Sequence, residues 1–289
     1  MHEIELETAI RLARTAGVAV LEHYSSEIIA ENKIGADNRA EPVTAADRVA
    51  SRIIVNGIAE TFPDDAVLSE EEIDEKKDRL SSDRVWVIDP IDGTAGFIKK
   101  DGDFAVQIGL AENGTPIVGV VYLPAWDILY FASKEHGTYS VEKNGEPKRL
   151  TVSDTLELEE MNIAVSRDHR SPKMTRIVEE LGLRGEIGRG SVGVKVGMIA
   201  ERTCDVYIHL SPRTKFWDTC APQIILEEAG GKLTDLFGTE IRYDRGNVVN
   251  LNGIFASNGA AHDLILQRLA PILTDLGRDR LTSAAQIQA

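Results

Sequence analysis

The chain is poor in cysteine and has no long apolar segment. Its 2 cysteines, Cys204 and Cys220, are too few for a disulfide framework and match no zinc-binding spacing, so we expect a reducing compartment. No apolar run reaches the length of a membrane span, and the first residues lack the basic and apolar regions of a signal peptide. We therefore expect a cytoplasmic protein without membrane partners.

Basic residues are also in deficit. The 289 residues include 32 Lys and Arg against 47 Asp and Glu, which gives a net charge of −15. A charge of this sign repels nucleic-acid backbones, so we expect no nucleic acid polymer as a partner. It would also repel a small phosphate ester unless metal ions reversed the local charge. The hydrophobic content of 43% is enough for a full core.

Two carboxylates follow a short apolar run in the first half of the chain. The largely β-branched residues 85–88 predict a buried strand, and Pro90 ends it because proline cannot donate a ladder hydrogen bond. Asp89 and Asp92 then lie at the carboxyl end of the strand, where open α/β sheets bind ligands. Neighbouring carboxylates repel each other unless a cation lies between them, and oxygen ligands favour Mg²⁺ or Mn²⁺ over zinc.

The residues after these carboxylates suit an anion. Gly93 and Thr94 offer backbone N–H groups to a phosphate if a helix begins there, and a metal beside an anion is typical of phosphoryl chemistry. As an alternative, Asp-Pro and Asp-Gly are ordinary turn dipeptides. An aspartyl-phosphate phosphatase loop would need an acid at position 90, where this chain has Pro90, so the spacing excludes that class.

Three further acids each have a structural and a functional interpretation. Asp47 follows Thr44 in the spacing of a helix cap, or it orients a catalytic hydroxyl or water. Glu70 begins a run of three acids, which usually face solvent, but it follows an apolar pair and can point inward. Asp218 stands at a predicted helix start, either as an N-cap or as a metal ligand from the second half of the chain.

The pattern of apolar residues predicts two parts. In residues 1–145 we expect two helices, over 4–28 and from Val49 onward, packed on an antiparallel sheet with strands at 104–110, 117–123, 128–133 and 138–141. Residues 28–41 and 73–83 are expected to form polar surface loops. Residues 146–289 alternate between strands and helices and predict a smaller α/β domain. The strands are expected near 162–165, 205–210, 232–235 and 253–256, and the helices near 173–181, 191–201, 218–229 and 260–273.

Three blocks, in this order, resemble the inositol monophosphatase superfamily. They are Ser69-Glu70-Glu71, Asp89-Pro90-Ile91-Asp92-Gly93-Thr94 and Trp217-Asp218-x-x-Ala221-Pro222. Members are Mg²⁺-dependent, lithium-sensitive phosphomonoesterases, and the resemblance implies a layered αβαβα sandwich, an α+β or α/β fold. The most similar branch is the 3′(2′),5′-bisphosphate nucleotidases. The segments that carry this finer resemblance are Phe97-Ile98-Lys99, Ser166-Arg167-Asp168-His169, Gly190–Lys195 and Gly230–Asp235. His209 departs from this branch, because several relatives carry an arginine there.

The resemblance also implies roles for individual residues. Glu70, Asp89 and the Ile91 carbonyl would bind one Mg²⁺, and Asp89, Asp92 and Asp218 would bind a second, with Glu70 helping a third through water; Mn²⁺ would substitute. Asp47 and Thr94 would orient the nucleophilic water. Gly93 and Thr94 would bind the scissile phosphate through their backbone. Ser166, Ser191 and Lys195 would lie on the substrate side, with Lys195 holding a second phosphate.

The implied reaction is hydrolysis of the 3′-phosphate of 3′-phosphoadenosine 5′-phosphate to AMP and phosphate. The alternative is an inositol monophosphatase or related sugar phosphatase with the same metal core. A non-enzymatic Mg²⁺-sensing or scaffold protein of this fold would be expected to lose an acid, yet every acid of the set is present. We expect a small phosphorylated substrate and a monomer or homodimer.

Overall fold

The computed structural model describes residues 2–74, 76–167 and 171–281, which contain helices on both sides of two large sheets. The helices are α1 (Glu3–Ser25), α2 (Ala45–Thr61), α3 (Lys76–Ser81), α4 (Thr94–Lys99), α5 (Pro172–Leu181), α6 (Val192–Ala200), α7 (Phe216–Glu228) and α8 (His262–Asp275). The strands are β1 (Ala30–Ile34), β2 (Ala40–Thr44), β3 (Ala66–Ser69), β4 (Arg84–Asp92), β5 (Ala105–Glu112), β6 (Thr115–Leu123), β7 (Ile128–Ser133), β8 (Gly137–Glu142), β9 (Lys148–Leu150), β10 (Asn162–Ser166), β11 (Gly185–Arg189), β12 (Val206–His209), β13 (Lys232–Thr234) and β14 (Ile254–Ser257).

The larger sheet has seven strands in chain order, from β3 to β9. β3 and β4 are parallel, and the other neighbours are antiparallel. Helices α1 and α2 cover one face, where Val20 and Ile54 join Trp86 and Ile108 in one buried cluster. Side chains alternate along a strand, so the neighbours Asp89 and Gln107 face the other side of the sheet.

Helix α7 lies close against that other side because two glycines face it. Gly109 and Gly119 are paired across β5 and β6. A Cβ atom on Gly109 would lie 2.7 Å from the Cys220 sulfur, and one on Gly119 would lie 2.6 Å from the Ala221 carbonyl oxygen. Any larger side chain would push α7 away from the sheet, so these glycines determine where the start of α7 stands relative to the end of β4.

The second sheet has the order β11-β10-β12-β14-β13, with parallel pairs around β10 and antiparallel pairs around β14. Helices α5 and α8 cover its outer face, and α6 and α7 lie between the two sheets. Successive β12 residues show the alternation, since Val206 belongs to the outer cluster and Tyr207 to the inner one. The expected αβαβα sandwich is confirmed. The division of the chain at residue 145 stays a prediction.

Two segments that we expected to be polar loops are ordered elements, so that expectation was wrong. Residues 30–34 and 40–44 pair as the hairpin β1–β2. β1 is almost entirely exposed and β2 is buried only at its end, so neither shows the apolar alternation on which strand prediction depends. Residues 76–81 form α3, in which the Arg79 side chain is only 1% exposed.

Arg79 joins two distant parts of the chain. It donates to both carboxylate oxygens of Asp74, at 2.8 and 2.9 Å. It also donates to the carbonyl oxygen of Arg245 at 2.9 Å and to that of Gly246 at 3.4 Å. The charged stretch after Glu70 is therefore fixed to the segment that precedes β14.

Strands β9 and β11 were not expected either. β11 is half-buried along its whole length and carries two glycines and two charged side chains, so it lacks a strand-like apolar pattern. Within the described residues, no helix is long and apolar enough to cross a membrane.

Candidate active site

The end of β4 sets the geometry of the site. The β4–β5 pairing is regular up to Asp89 and shifts before Asp92, so the backbone bulges around Pro90. The expectation that Pro90 ends the strand was wrong, because the bulge accommodates the missing N–H and β4 continues to Asp92. Asp89 Oδ1 accepts a hydrogen bond from the Ile91 N–H at 3.0 Å, which fixes one carboxylate oxygen. Gly93 follows with φ of +95°, and a Cβ there would lie 2.6 Å from the Asp103 carbonyl oxygen. Only glycine fits this turn into α4.

Three carboxylates meet at this point. Asp89, Asp92 and Asp218 each offer an oxygen, and these atoms lie within 4.8 Å of one another. Burial and the charges of Glu70, Asp92 and Asp218 raise the pKa of Asp89 well above its usual range. Burial, with the charges of Asp92 and Glu70, raises the pKa of Asp218 in the same way. Each carboxylate therefore destabilises its ionised neighbours, and a divalent cation among them would remove that repulsion.

The chemistry of the donor set fits a hard divalent cation. Every candidate ligand is an oxygen: the three carboxylates, the Glu70 carboxylate whose charge acts on Asp89, and the Ile91 carbonyl, which lies 3.1 Å from the Thr94 hydroxyl. Mg²⁺ and Mn²⁺ prefer such ligands, whereas zinc prefers nitrogen and sulfur. The cluster is thus suited to hold a metal ion.

Asp218 is not an N-cap, so that structural interpretation was wrong in detail. The N-cap of α7 is Lys215, and Asp218 is the third helical residue. Its Oδ2 accepts a hydrogen bond from the Lys215 N–H at 2.5 Å, which is the second half of a capping box. One carboxylate thus fixes the helix start and also takes part in the acidic cluster.

Asp47 likewise uses its two oxygens differently. Oδ2 accepts hydrogen bonds from the Thr44 N–H at 2.8 Å and from the Thr44 hydroxyl at 2.6 Å. Oδ1 lies 3.3 Å from the Thr94 hydroxyl. Burial raises the pKa of Asp47, and the hydrogen bonds from Thr44 oppose that rise. The capping and the functional interpretations are therefore compatible, because each concerns a different oxygen.

Lys33 lies beside Glu70, which sequence reasoning missed. It donates to Glu70 Oε1 at 2.9 Å and also contacts Glu71. Burial lowers the pKa of Lys33, but the charges of Glu70 and Glu71 outweigh it and raise the pKa overall. The residue lies in the hairpin that looked like a polar loop, so no pattern in the sequence singled it out.

The residues expected on the substrate side take two kinds of position. The Ser191 hydroxyl donates to Asp92 Oδ2 at 2.5 Å, and the Gly193 N–H donates to the same oxygen at 2.9 Å. Lys195 is 4% exposed, donates to the Gly190 carbonyl oxygen at 2.5 Å and lies over the Tyr207 ring at 4.8 Å. Burial lowers the pKa of Lys195 to about 8, and the negative charges of Asp92 and Asp103 partly oppose this shift. Ser191 therefore contacts the acidic cluster directly, whereas Lys195 lies within range of its charge without bonding to it.

Ser166 lies instead at the end of β10, on a cavity of 460 Å³ that His209 also lines. Asp168 and His169, from the same sequence block, lie outside the described residues. The roles assigned to these residues and to the acidic set stay predictions.

Asp103 is a second residue that the sequence did not reveal. It is fully buried after α4 and accepts a hydrogen bond from the Gly190 N–H at 2.9 Å. Arg167 forms ion pairs with Asp103 at 2.6 Å and with Asp101 at 3.1 Å. These contacts join the segment after Thr94 to the start of α6 and thus help to fix the position of Ser191.

Comparison with known proteins gives consistent matches. The profile of the inositol monophosphatase family matches residues 2–274. The chain is 35% identical over 238 residues to the 3′(2′),5′-bisphosphate nucleotidase CysQ of Salmonella typhimurium, covering 82% of this chain and 93% of the relative. It is 32% identical over 280 residues to a fructose-1,6-bisphosphatase/inositol-1-monophosphatase of Thermotoga maritima, covering 94% and 98%. The solved structure of the Thermotoga maritima IMPase superposes with a TM-score of 0.78 at 29% identity, over 96% of this chain and 100% of the other.

The layered fold and these relatives define the protein as a phosphatase. The chain belongs to the inositol monophosphatase family, so the resemblance inferred from three short blocks is confirmed.

Proposed function

We propose that this phosphatase is a Mg²⁺-dependent phosphomonoesterase that converts 3′-phosphoadenosine 5′-phosphate to AMP and phosphate. The observation that carries the proposal is the cluster of three carboxylates at the end of β4, directly before the backbone of Gly93 and Thr94. The choice of substrate is supported by 35% identity to a bisphosphate nucleotidase over most of both chains. We further propose a cytoplasmic monomer or homodimer.

The acidic set would hold the metal ions. Glu70, Asp89 and the Ile91 carbonyl would bind one ion, and Asp89, Asp92 and Asp218 a second. When bound, Mg²⁺ lowers the pKa of coordinated water and neutralises negative charge on a phosphate. Phosphomonoesters hydrolyse very slowly without catalysis, so both effects are needed.

Other residues of the chain would orient the reactants. Thr94 can donate to Asp47 Oδ1 and accept a hydrogen bond from a water molecule, which directs a lone pair of that water toward phosphorus. The N–H groups of Gly93 and Thr94 stand at the start of α4 and have no acceptor within the helix, so they would donate to the scissile phosphate. Ser191 and Gly193 hold Asp92 in place.

A second candidate function is favoured by another observation. The match to the Thermotoga maritima fructose-1,6-bisphosphatase/inositol-1-monophosphatase covers more of this chain than the match to CysQ does. Both functions would use the same acidic set, so only the substrate side separates them.

A substrate panel tests the proposal. We expect the highest kcat/KM for 3′-phosphoadenosine 5′-phosphate among that compound, inositol 1-phosphate and fructose 1,6-bisphosphate, and no phosphate release after exhaustive chelation. Re-addition of Mg²⁺ or Mn²⁺ should restore the rate. A preference for inositol 1-phosphate would favour the second candidate, and full activity in chelator would refute metal dependence.

A further inference from the structure

A cavity of 460 Å³ lies at the carboxyl ends of β10 and β12, next to the acidic cluster. Tyr207 lines this cavity, and the Lys195 ammonium lies over the Tyr207 ring, 4.8 Å from its centre. The negative charges of Asp92 and Asp218 in turn stabilise the charged form of Lys195. Tyr207 and Lys195 therefore connect the cavity to the acidic cluster, and its volume lies in the range of small-molecule sites.

The cations of this cavity are two arginines from distant segments. Arg39 belongs to the turn of the hairpin β1–β2, and Arg213 to the segment between β12 and α7. A neighbouring cleft of 200 Å³ is lined by Arg39 and Pro212, so the hairpin turn faces the segment that carries Arg213. The two guanidinium groups are thus brought to the same opening by the tertiary structure.

Both guanidinium groups are available to a ligand. Within the described part of the chain, no hydrogen bond or ion pair involves the Arg213 side chain. The Arg39 side chain is 54% exposed and has one loose ion pair, at 3.9 Å, with Asp37. Arginines without tight partners on a cavity beside the phosphatase site suit an anionic group of the substrate.

The rest of the cavity suits a planar ring. Met174 and Leu210 supply apolar wall, while Ser166 and the His209–Ser211 pair, 2.8 Å apart, supply polar atoms. A mostly apolar wall with a few polar groups is the usual lining of a small-molecule site. Lys195 is a poor candidate for a distal anion because it is buried and donates to Gly190.

We propose that Arg39 and Arg213 together bind the second phosphate of a nucleoside bisphosphate, and thereby determine substrate specificity. This inference rests on the proposed function. The hydrolysed phosphate lies at the acidic cluster, the nucleoside occupies the 460 Å³ cavity, and the distal phosphate receives bidentate hydrogen bonds from the two arginines.

Substrate comparison with Arg39→Ala, Arg213→Ala and Arg213→Lys tests the assignment. The substrates are 3′-phosphoadenosine 5′-phosphate, adenosine 3′-monophosphate and inositol 1-phosphate. We expect each alanine variant to raise KM for the bisphosphate about tenfold or more, with kcat nearly unchanged, since an equal contact in ground and transition states affects KM. The two monophosphates should be unaffected, and lysine should restore part of the loss. Arg268→Ala, on the exposed side of α8, is the matched control and should change nothing.

A binding measurement in chelator separates this inference from the proposed function. AMP keeps the 5′-phosphate and adenosine lacks it, so calorimetry should show weaker AMP binding in both alanine variants and unchanged adenosine binding. If the wild-type enzyme prefers the bisphosphate but the variants lose no selectivity, this inference is overturned and the proposed function stands. If the wild-type enzyme prefers inositol 1-phosphate, both are overturned.

Discussion

Replacing Asp218 with asparagine separates its two roles, which are to accept a hydrogen bond from the Lys215 N–H and to add a negative charge to the acidic cluster. Asparagine still has a side-chain oxygen that can accept that hydrogen bond. The start of α7 should therefore fold as before, with the same hydrogen bond from Lys215. What the variant loses is one negative charge among three carboxylates whose oxygens lie within 4.8 Å of one another. Stability and activity should consequently change in opposite directions.

The repulsion sets the size of the stability effect. Two unit charges separated by 4.8 Å repel each other by about 3 kcal/mol at an effective dielectric constant of 20. Protonation within the cluster, whose pKa values are raised, removes part of that repulsion in metal-free protein. We therefore expect Asp218→Asn to stabilise the metal-free protein by about 2 kcal/mol, or about 4 °C in Tm for a chain of this size.

The effect on catalysis should be larger. If Asp218 holds a catalytic metal ion, losing that ligand should raise the barrier by about 4 kcal/mol, which lowers kcat roughly 1,000-fold. Thermal unfolding in chelator and with added Mg²⁺, together with kcat, measures both effects. The wild-type Tm should rise with Mg²⁺, and the Tm of Asp218→Asn should rise much less.

The control is Asp64→Asn, which removes an exposed charge that lies outside the helices and forms no ion pair within the described residues, and it should alter neither quantity. Near-normal turnover of Asp218→Asn, with an undiminished Mg²⁺ shift in Tm, would refute the reasoning. Asp218 would then serve only to fix the start of α7.

Three further predictions concern separate parts of the molecule. Lithium should inhibit phosphate release by competing for an oxygen-lined Mg²⁺ position, and equal rates in LiCl and in NaCl of matched ionic strength would contradict this. Arg79→Met should lower the free energy of unfolding by about 3 kcal/mol, because it leaves the Asp74 carboxylate without its partner; an unchanged denaturation midpoint would count against that role. Burial lowers the pKa of His262 to about 4, so the imidazole is neutral in the folded state and its contribution to stability is lost as pH falls from about 6.5 to 4. Between pH 7.5 and 5 the wild type should therefore lose about 2 kcal/mol more than His262→Gln does, and parallel pH profiles would show that His262 is not responsible.

Local patterns in the sequence were sufficient for much of the fold. Strand β7 falls at the expected residues 128–133, and the four later strands and four later helices that we expected are present within a few residues. Apolar periodicity and turn chemistry act over short stretches of chain, so they can be read without knowing the neighbours. They fail where a strand is exposed, as in β1–β2, or where a charged side chain is buried, as at Arg79.

The acidic character of the site was also visible locally. Asp89 and Asp92 are close in sequence, and Gly93 makes the turn, but Pro90 does not end the strand as expected, because β4 continues past a bulge to Asp92. The family resemblance added Asp47, Glu70 and Asp218 as members of the same set, each with a capping or surface alternative that the sequence alone left open.

Which side chains meet was decided only by the tertiary structure. Asp218 reaches the cluster because α7 lies directly on the paired glycines Gly109 and Gly119, at positions far from it in the sequence. Ser191 donates to Asp92, and the hairpin and the β12–α7 segment bring Arg39 and Arg213 to one cavity. Sequence periodicity specifies which face of an element is buried, but the contacts between elements depend on how closely their surfaces approach. That approach is determined by packing among residues that are remote in the chain.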